Sequence, residues 1–269
     1  MDENLYIKRL HRSNPLREPA VKKALQRLEL PESSRGLDAG CGIGLQAVTL
    51  ARDVVPEGHI TGLDICKGFL DEAKRIIEKR HLTERITLIQ ADINSLPFGS
   101  DSFDWLWSSD SAFYPSGDSL SLINEFSRVV KPGGIIAILA WTSQQLLPGY
   151  PLLEARLNST FSGIAPFHID MKPENHYLRT SSWFTRAGIE GIEVATIAGD
   201  AHAPLSGEMR DALLDLIEMR WKDVETGLGG SDLKKFKKLT DPGSTDFILD
   251  LPDYYAFFTC SLFYGRAPE

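Results

Sequence analysis

Short apolar segments alternate with amphipathic segments between about residue 36 and residue 140. The apolar segments are rich in Ile, Leu and Trp and are too short for helices, which is typical of β-strands. The segments between them carry apolar residues at helical spacing, as at Leu70, Ala73 and Ile77. The strands predicted in this region are residues 36–40, 60–64, 86–90, 103–107 and 135–140.

Strands and helices that alternate through short connections favour right-handed crossovers and a parallel sheet. Two more strands are predicted near the carboxyl terminus, at residues 192–197 and 255–264. We therefore expect an α/β fold with a doubly wound, mostly parallel, seven-stranded Rossmann-like sheet. In such a sheet, ligands bind at the carboxyl ends of the strands.

The amino-terminal segment, residues 1–34, is predicted to form a helical lid. Leu25 and Leu28 belong to an apolar pattern with helical spacing, and basic residues are frequent in the same segment. The basic residues form either a solvated face or, at Arg12 and Arg17, a contact with a carboxylate.

A second helical segment interrupts the pattern between the last two strands. Leu213, Ile217 and Trp221 have helical spacing, which predicts a helical cap inserted at residues 203–250. The predicted organisation is a lid at 1–34, a Rossmann-like core at 35–202, the cap at 203–250 and the final core strand at 251–269.

The composition and net charge of the chain indicate which kinds of molecule it can bind. The chain has 269 residues, of which 42% are hydrophobic and 25% are charged, and its formal net charge is -8. An acidic protein does not attract nucleic acid or anionic lipid through its overall field, so we expect neither a nucleic acid nor a membrane as partner. A small-molecule substrate is expected instead, and the oligomeric state stays open.

The three cysteines, Cys41, Cys66 and Cys260, are far apart in the sequence. Their spacing does not suit a metal site, and their odd number does not suit a disulfide framework. The amino terminus starts acidic, and no apolar run approaches the length of a membrane span. We therefore expect a cytoplasmic protein that binds no metal.

The most informative motif follows the first strand, where Gly40, Gly42 and Gly44 are separated by single residues. Glycine lets the backbone turn tightly and approach a ligand, and the following helix offers unpaired N–H groups, as in nucleotide-binding turns. A dinucleotide fingerprint requires a glycine three residues after the second one, and Leu45 occupies that position. Asp38, just before the turn, would repel a pyrophosphate and attract an ammonium group.

In these features the chain resembles the class I methyltransferases, which use S-adenosylmethionine. The resemblance covers roughly residues 36–140. It implies that the glycine turn lies against the methionine and ribose portions of the cofactor, that Asp64 binds the ribose hydroxyls, and that Asp92 and Ile93 flank the adenine. The cofactor-binding residues implied in this way are Asp38, Gly40, Cys41, Gly42, Gly44, Gln46, Asp64, Ile65, Asp92, Ile93 and Ser108.

Several of these residues have a purely structural alternative. Asp64 could cap the helix that follows it, and Asp92 could bind its own loop. Asp104, Trp105 and Trp107, in the fourth strand, are expected to be structural.

Methyl transfer requires a nucleophile held in line with the methyl group and, for some nucleophiles, a base that removes a proton. Asp110 and Tyr114 follow the fourth strand at the expected ligand edge, and His168 lies in the irregular segment after the fifth strand. These three are the candidate catalytic residues. His176 and His202 also lie in segments that could cover the site.

The resemblance predicts an enzyme that moves the methyl group of S-adenosylmethionine to an oxygen, nitrogen or carbon atom of a small molecule. One alternative is transfer of a group other than methyl on the same fold. A second is a nicotinamide-dependent oxidoreductase, which the glycine spacing disfavours, and a third is a cofactor-binding protein without catalytic activity. Arsenic methylation is disfavoured because it needs clustered thiols.

Overall fold

Seven β-strands form one sheet in a computed structural model that describes residues 3–112, 118–167 and 171–269. In chain order they are β1 (Arg35–Ala39), β2 (His59–Asp64), β3 (Ile86–Gln90), β4 (Phe103–Ser109), β5 (Val130–Gln145), β6 (Glu190–His202) and β7 (Tyr255–Arg266). Their spatial order is β3-β2-β1-β4-β5-β7-β6. The predicted seven-stranded, Rossmann-like sheet is therefore confirmed.

The sheet is mostly parallel, as predicted. β1 pairs in parallel with β2 and with β4, β2 with β3, and β4 with β5. β7 runs the other way, because Gly134 of β5 bonds to Ala267 whereas Thr142, further along β5, bonds to Thr259. Every parallel pair brings its carboxyl ends to one edge of the sheet, where the glycine turn follows β1.

The α-helices of the described residues are α1 (Glu3–Arg27), α2 (Leu45–Thr49), α3 (Lys67–Lys79), α4 (Ser119–Val129), α5 (Pro151–Asn158), α6 (Thr180–Arg186), α7 (Gly207–Arg220) and α8 (Gly230–Thr240). α3 buries Leu70, Ala73 and Ile77, the residues whose spacing predicted it. α7 begins where the Ser206 hydroxyl accepts a hydrogen bond from the Met209 amide, which is a helix N-cap.

The chain divides into two compact units. The sheet unit comprises residues 21–141, 172–197 and 260–269, and the helical unit comprises residues 1–20, 142–171 and 198–259. Most of the predicted lid and all of the predicted cap thus fall in the helical unit. Their role as covers of a site stays a prediction.

The core of the sheet unit lies around β1, β4 and β5. Trp105 and Trp107 of β4 are 1% and 0% exposed, which agrees with the structural role expected for them. Asp104 is structural as well, because its carboxylate accepts hydrogen bonds from the Arg35 amide at 2.7 Å and from Lys131 Nζ at 2.6 Å. The core also includes Leu37, Leu106, Phe126, Ile136, Trp183 and Phe184.

The helical unit has its own core around Trp221. The indole N–H of Trp221 donates to Asn158 Oδ1 at 3.0 Å, and its ring meets Phe236 edge-on with centroids 6.0 Å apart. Glu154 is buried in the same unit, where its carboxylate accepts hydrogen bonds from the amides of Leu146 and Leu147. None of the helices in the described ranges combines the length and the apolar character needed to traverse a bilayer.

Candidate functional site

The glycine turn lies at the carboxyl end of β1 and is held against β2. The amides of Gly40 and Cys41 both donate to the Leu63 carbonyl oxygen, at 2.7 and 2.8 Å. Gly40, Gly42 and Gly44 have φ angles of 81°, 54° and 77°, which residues with a Cβ rarely adopt. The shape of the turn therefore depends on glycine.

Gly40 and Gly42 differ in their surroundings. A Cβ at Gly40 would lie 2.2 Å from Oγ of Ser111, whose hydroxyl donates to the Gly40 carbonyl at 3.1 Å. A Cβ at Gly42 would meet no atom of the described residues within 4 Å. Gly40 is thus required by packing, whereas the space beside Gly42 is open to a ligand. The contact between Ser111 and Gly40 was not predicted, because it joins positions far apart in the sequence.

Asp38 is the buried acid of the site, with 1% of its surface exposed. Its Oδ2 atom has no hydrogen-bond partner among the described residues. Burial, together with the charge of Asp64, raises the pKa of Asp38 from 3.8 to about 7. A buried carboxylate is unfavourable unless a donor or a cation compensates it. This arrangement fits a ligand with an ammonium group, such as the amino-acid end of S-adenosylmethionine.

Asp64, the last residue of β2, links two backbone segments. Its Oδ2 accepts a hydrogen bond from the Gly42 amide at 2.8 Å, and its Oδ1 accepts one from the Cys66 amide at 2.9 Å. Burial raises the pKa of Asp64, although these amide bonds act in the opposite direction. A carboxylate oxygen can accept more than one hydrogen bond, so the arrangement is compatible with the predicted binding of a ribose diol. The bond to Cys66 shows that Asp64 also shapes the entry to α3.

Ile65 and Asp92 lie at the same edge of the sheet unit, after β2 and β3. The Ile65 side chain is 65% exposed, which is unusual for a large apolar residue beside a buried strand. Asp92 accepts hydrogen bonds from the amide and the side chain of Asn94, both on Oδ1. Ile93 is half-buried and packs against the core of the sheet unit. An adenine ring against Ile65 would cover apolar surface that is now exposed to water.

Three predicted cofactor-binding residues use their side chains in internal contacts. Ser108 is fully buried and donates to the Ala39 carbonyl at 2.8 Å, and Gln46 Oε1 accepts from the Trp107 indole at 2.7 Å. The Cys41 side chain is also buried. In this geometry these side chains position the glycine turn, and direct contact with a cofactor stays a prediction for each of them.

Asp110, a candidate catalytic residue, follows β4 with a positive φ of 56°. Its amide donates to the Leu139 carbonyl at 2.9 Å, and its Oδ1 accepts from the Trp141 amide at 2.8 Å. The residue therefore joins the ends of β4 and β5. Tyr114 and His168, the other two candidates, lie outside the described residues.

His176 and His202 are described in different units. The His176 ring stacks on Tyr177 with centroids 4.3 Å apart, and its Nδ1 accepts from the Leu178 amide, while burial lowers the pKa of this histidine. His202 is exposed, and its Nδ1 lies 3.1 Å from the Ala203 carbonyl oxygen.

The basic residues of α1 have partners within the helical unit. Arg12 lies 3.0 Å from Asp215 and 3.6 Å from Asp211, and Arg9 forms an ion pair with Glu218. Arg12 therefore does bind a carboxylate, as one of the two sequence interpretations proposed, but the carboxylate belongs to α7.

The described residues contain no group of three or more His, Cys, Asp or Glu side chains that could hold a metal ion. Their cysteines are free thiols.

The region that contains the glycine turn is also the region that matches known proteins. A family model for a methyltransferase domain matches residues 37–134. Demethylmenaquinone methyltransferase of Staphylococcus aureus is 31% identical over 134 residues, which make up 50% of this chain and 54% of that protein. The chain thus spans about half the length of the curated relatives it matches.

Solved structures show the fold over more of the chain. The YcgJ protein of Bacillus subtilis is 18% identical, with a TM-score of 0.55, 94% of this chain covered and 99% of that one. Phosphoethanolamine N-methyltransferase 2 of Haemonchus contortus, solved with S-adenosyl-L-methionine, is 19% identical, with a TM-score of 0.56 and coverage of 93% and 52%. Residues 37–134, which hold the glycine turn, Asp64 and Asp92, therefore belong to the class I S-adenosylmethionine-dependent methyltransferase family.

Proposed function

We propose that this chain is an enzyme that moves the methyl group of S-adenosylmethionine to an oxygen, nitrogen or carbon nucleophile of a small molecule. The observation that carries the proposal is the buried Oδ2 of Asp38, which lacks a hydrogen-bond partner among the described residues and lies in a domain of this family. A ligand with a positive charge would compensate that carboxylate.

Four features would hold the cofactor. Asp38 supplies negative charge for the ammonium group, and the open backbone at Gly42 allows close approach of the ligand. Asp64 would accept hydrogen bonds from the ribose hydroxyls, and the exposed Ile65 would pack against the adenine. These contacts use the carboxyl edge of β1 and β2, the usual ligand edge of such a sheet.

The bound cofactor supplies an electrophilic methyl group on a positively charged sulfur. A nucleophile held opposite the sulfur would accept this methyl group, and the electron pair of the broken carbon–sulfur bond would stay on sulfur. Catalysis by the protein then consists mainly of alignment, with proton removal where the nucleophile carries a proton. Asp110 is the described candidate for that base, because it ends β4 at the same edge.

The relatives suggest where to search for the acceptor. Demethylmenaquinone methyltransferase acts, by its name, on demethylmenaquinone, which is a quinone. Quinols are therefore the first acceptors to test, followed by small amines and alcohols. The net charge of -8 supports a small-molecule acceptor over a nucleic acid, and a cytoplasmic location agrees with three free cysteines.

Calorimetry with S-adenosylmethionine and S-adenosylhomocysteine tests cofactor use, and we expect saturable binding of both. Absence of binding to both would refute the proposal. Incubation of metabolite extracts with methyl-labelled cofactor would then reveal the acceptor as a labelled product. Cofactor consumption without transfer of label would indicate transfer of another group, and binding without turnover would indicate a non-catalytic protein.

A further inference from the structure

A cavity of about 440 Å³ opens in the sheet unit at the amino ends of β1, β2 and β3. It is lined by Arg35, His59, Thr61, Thr87, Ile89 and Phe98, with further residues at the start of β4. His59, at one end of the cavity, begins β2 and lies about 16 Å along the strand from Asp64, which ends it. At the other end of the cavity, Ile89 of β3 pairs with Leu63 of β2.

The cavity exists because one face of β2 and β3 lacks a covering helix. Its lining residues occupy alternate positions, His59 and Thr61 on β2 and Thr87 and Ile89 on β3, and so share one face of the sheet. Residues 91–102 connect β3 to β4, and all of them are described, yet they form no helix. Parallel sheets are usually covered by crossover helices on both faces. In this cavity Thr61 is buried, whereas Thr87 is exposed.

The wall opposite the strands is held in place by α4. Arg128 Nη1 donates to the Phe98 carbonyl at 2.7 Å, and Glu125 accepts a hydrogen bond from the Leu96 amide at 2.7 Å. The Phe98 ring meets Phe103 edge-on with centroids 4.9 Å apart. The aromatic wall is therefore a fixed part of the fold.

The charge of the cavity is positive. Arg35 is its only ionised lining residue at neutral pH, and no side chain of the described residues accepts a hydrogen bond from the Arg35 guanidinium. The nearby acid Asp104 binds the Arg35 backbone amide and Lys131 Nζ, and these bonds, with the charges of Lys131 and Arg35, lower its pKa against the effect of burial. The Arg35 side chain is exposed, so an anion from solvent can reach it.

The pKa of His59 depends on the charges around the cavity. Burial and the charges of Arg35 and Arg85 lower its pKa, opposed by a hydrogen bond to the Glu84 backbone. The neutral ring lies 2.9 Å from Thr87 Oγ1 through its Nε2. An anion bound beside His59 would favour the charged ring and raise that pKa.

We propose that this cavity is a second ligand site, which binds a small organic carboxylate with a flat apolar body. The carboxylate would pair with Arg35 and accept hydrogen bonds from the threonine hydroxyls, and the apolar body would pack against Ile89 and Phe98. A guanidinium suits a carboxylate through two parallel hydrogen bonds, and pockets of this volume with a few polar groups typically bind small organic ligands.

Benzoate is the probe for this site, with benzamide as its neutral counterpart and acetate as the anion without a ring. We expect nuclear magnetic resonance titration to show saturable benzoate binding near about 1 mM, with shifts at the Thr61 and Thr87 amides and an upward shift of the His59 pKa. Benzamide and acetate should each bind at least about tenfold more weakly.

Arg35→Gln tests the ion pair, and Arg75→Gln, a change at an exposed arginine of α3, is the matched control. Arg35→Gln should weaken benzoate about tenfold, while benzamide binding and S-adenosylhomocysteine binding stay unchanged. Circular dichroism would verify that the variants fold. Phe98→Leu keeps an apolar wall but removes the ring, so it should weaken the binding of benzoate while the protein still prefers benzoate over benzamide.

The proposal is overturned if benzoate gives no saturable shift up to about 10 mM, or if acetate or benzamide binds as well as benzoate. It is also overturned if Arg75→Gln weakens benzoate as much as Arg35→Gln does. These outcomes are independent of methyl transfer, because none of them involves the cofactor.

Discussion

The amide of Gly42 donates a 2.8 Å hydrogen bond to Oδ2 of Asp64, which joins the glycine turn after β1 to the acid that ends β2. The same carboxylate accepts the Cys66 amide through its other oxygen. Asp64 thus holds the shape of the turn before any ligand arrives. A change at this residue should affect both the turn and the cofactor.

Asp64→Ala should weaken binding of S-adenosylhomocysteine by about 1.5 to 3 kcal/mol, the range for hydrogen bonds to a charged group. Calorimetry measures the change, and Asp71→Ala, at an exposed acid of α3, serves as the control. Unchanged affinity in Asp64→Ala would contradict its predicted role at the ribose.

Gly42→Val should abolish cofactor binding, because the branched side chain would occupy the open space beside the turn. Gly133→Val is a matched control, since Gly133 also has a positive φ, of 72°, and open space around its Cα. Both variants should lose about 1 to 2 kcal/mol of stability from backbone strain, measured by denaturant unfolding. Only Gly42→Val should lose binding, and equal binding in both variants would exclude Gly42 from the site.

The stability of the ligand-free protein should fall as the pH rises from about 4 to about 7, through the titration of Asp38. Its pKa is 3.8 in the unfolded chain and about 7 in the folded protein, so the folded state favours the protonated form. The stabilisation is present below pH 4 and is lost as the carboxyl ionises, up to about 4 kcal/mol.

Asp38→Asn should therefore be more stable than the original protein at pH 8 and similar to it at pH 4, as measured by urea unfolding without ligand. The same substitution should weaken cofactor binding, because it removes the charge that pairs with the ammonium group. In the original protein, affinity should rise as the pH passes through about 7. A stability difference that does not change with pH would contradict this assignment.

Asp110→Asn should keep the fold, because the amide oxygen can still accept from Trp141 and asparagine tolerates a positive φ. If Asp110 removes a proton from the acceptor, kcat should fall by about 100-fold or more while S-adenosylhomocysteine binding is unchanged. Steady-state kinetics with an identified acceptor measures this. Full turnover in the variant would leave Asp110 as a residue that positions β5 only.

Arg12→Met should destabilise the protein by about 1 to 2 kcal/mol at pH 7, because it removes the cation that lies 3.0 Å from the buried Asp215 and leaves only the charge of Arg9 to compensate that acid. This destabilisation is smaller than that expected from breaking a fully buried ion pair, because the Arg12 side chain is 48% exposed. In an Asp215→Asn background the same change should cost less, which a double-mutant cycle by denaturant unfolding would detect. Equal costs in both backgrounds would show that the ion pair contributes nothing.

Local patterns in the sequence were sufficient to predict the strands, α3 and the glycine turn. Strand alternation and helical spacing depend on neighbours in the sequence, and glycine marks positions where the backbone must adopt a positive φ. The start of β5 was missed. The predicted strand began at residue 135, whereas β5 begins at Val130, and within this extension the amide of Gly133 donates to the Ala267 carbonyl, over 130 residues away.

Contacts across the sheet determined the features of the candidate site that local sequence patterns did not predict. The resemblance placed Ser108 at the cofactor, and pairing of β1 with β4 turns its hydroxyl onto the Ala39 carbonyl. Ser111, two residues beyond β4, donates to the Gly40 carbonyl, which follows β1. The pKa of Asp38 depends on burial and on a second acid that only β2 supplies. The sequence by itself supplied the candidate residues of the site. Electrostatic and packing energies depend on distance in space, so only the folded structure set the contacts and charges of these residues.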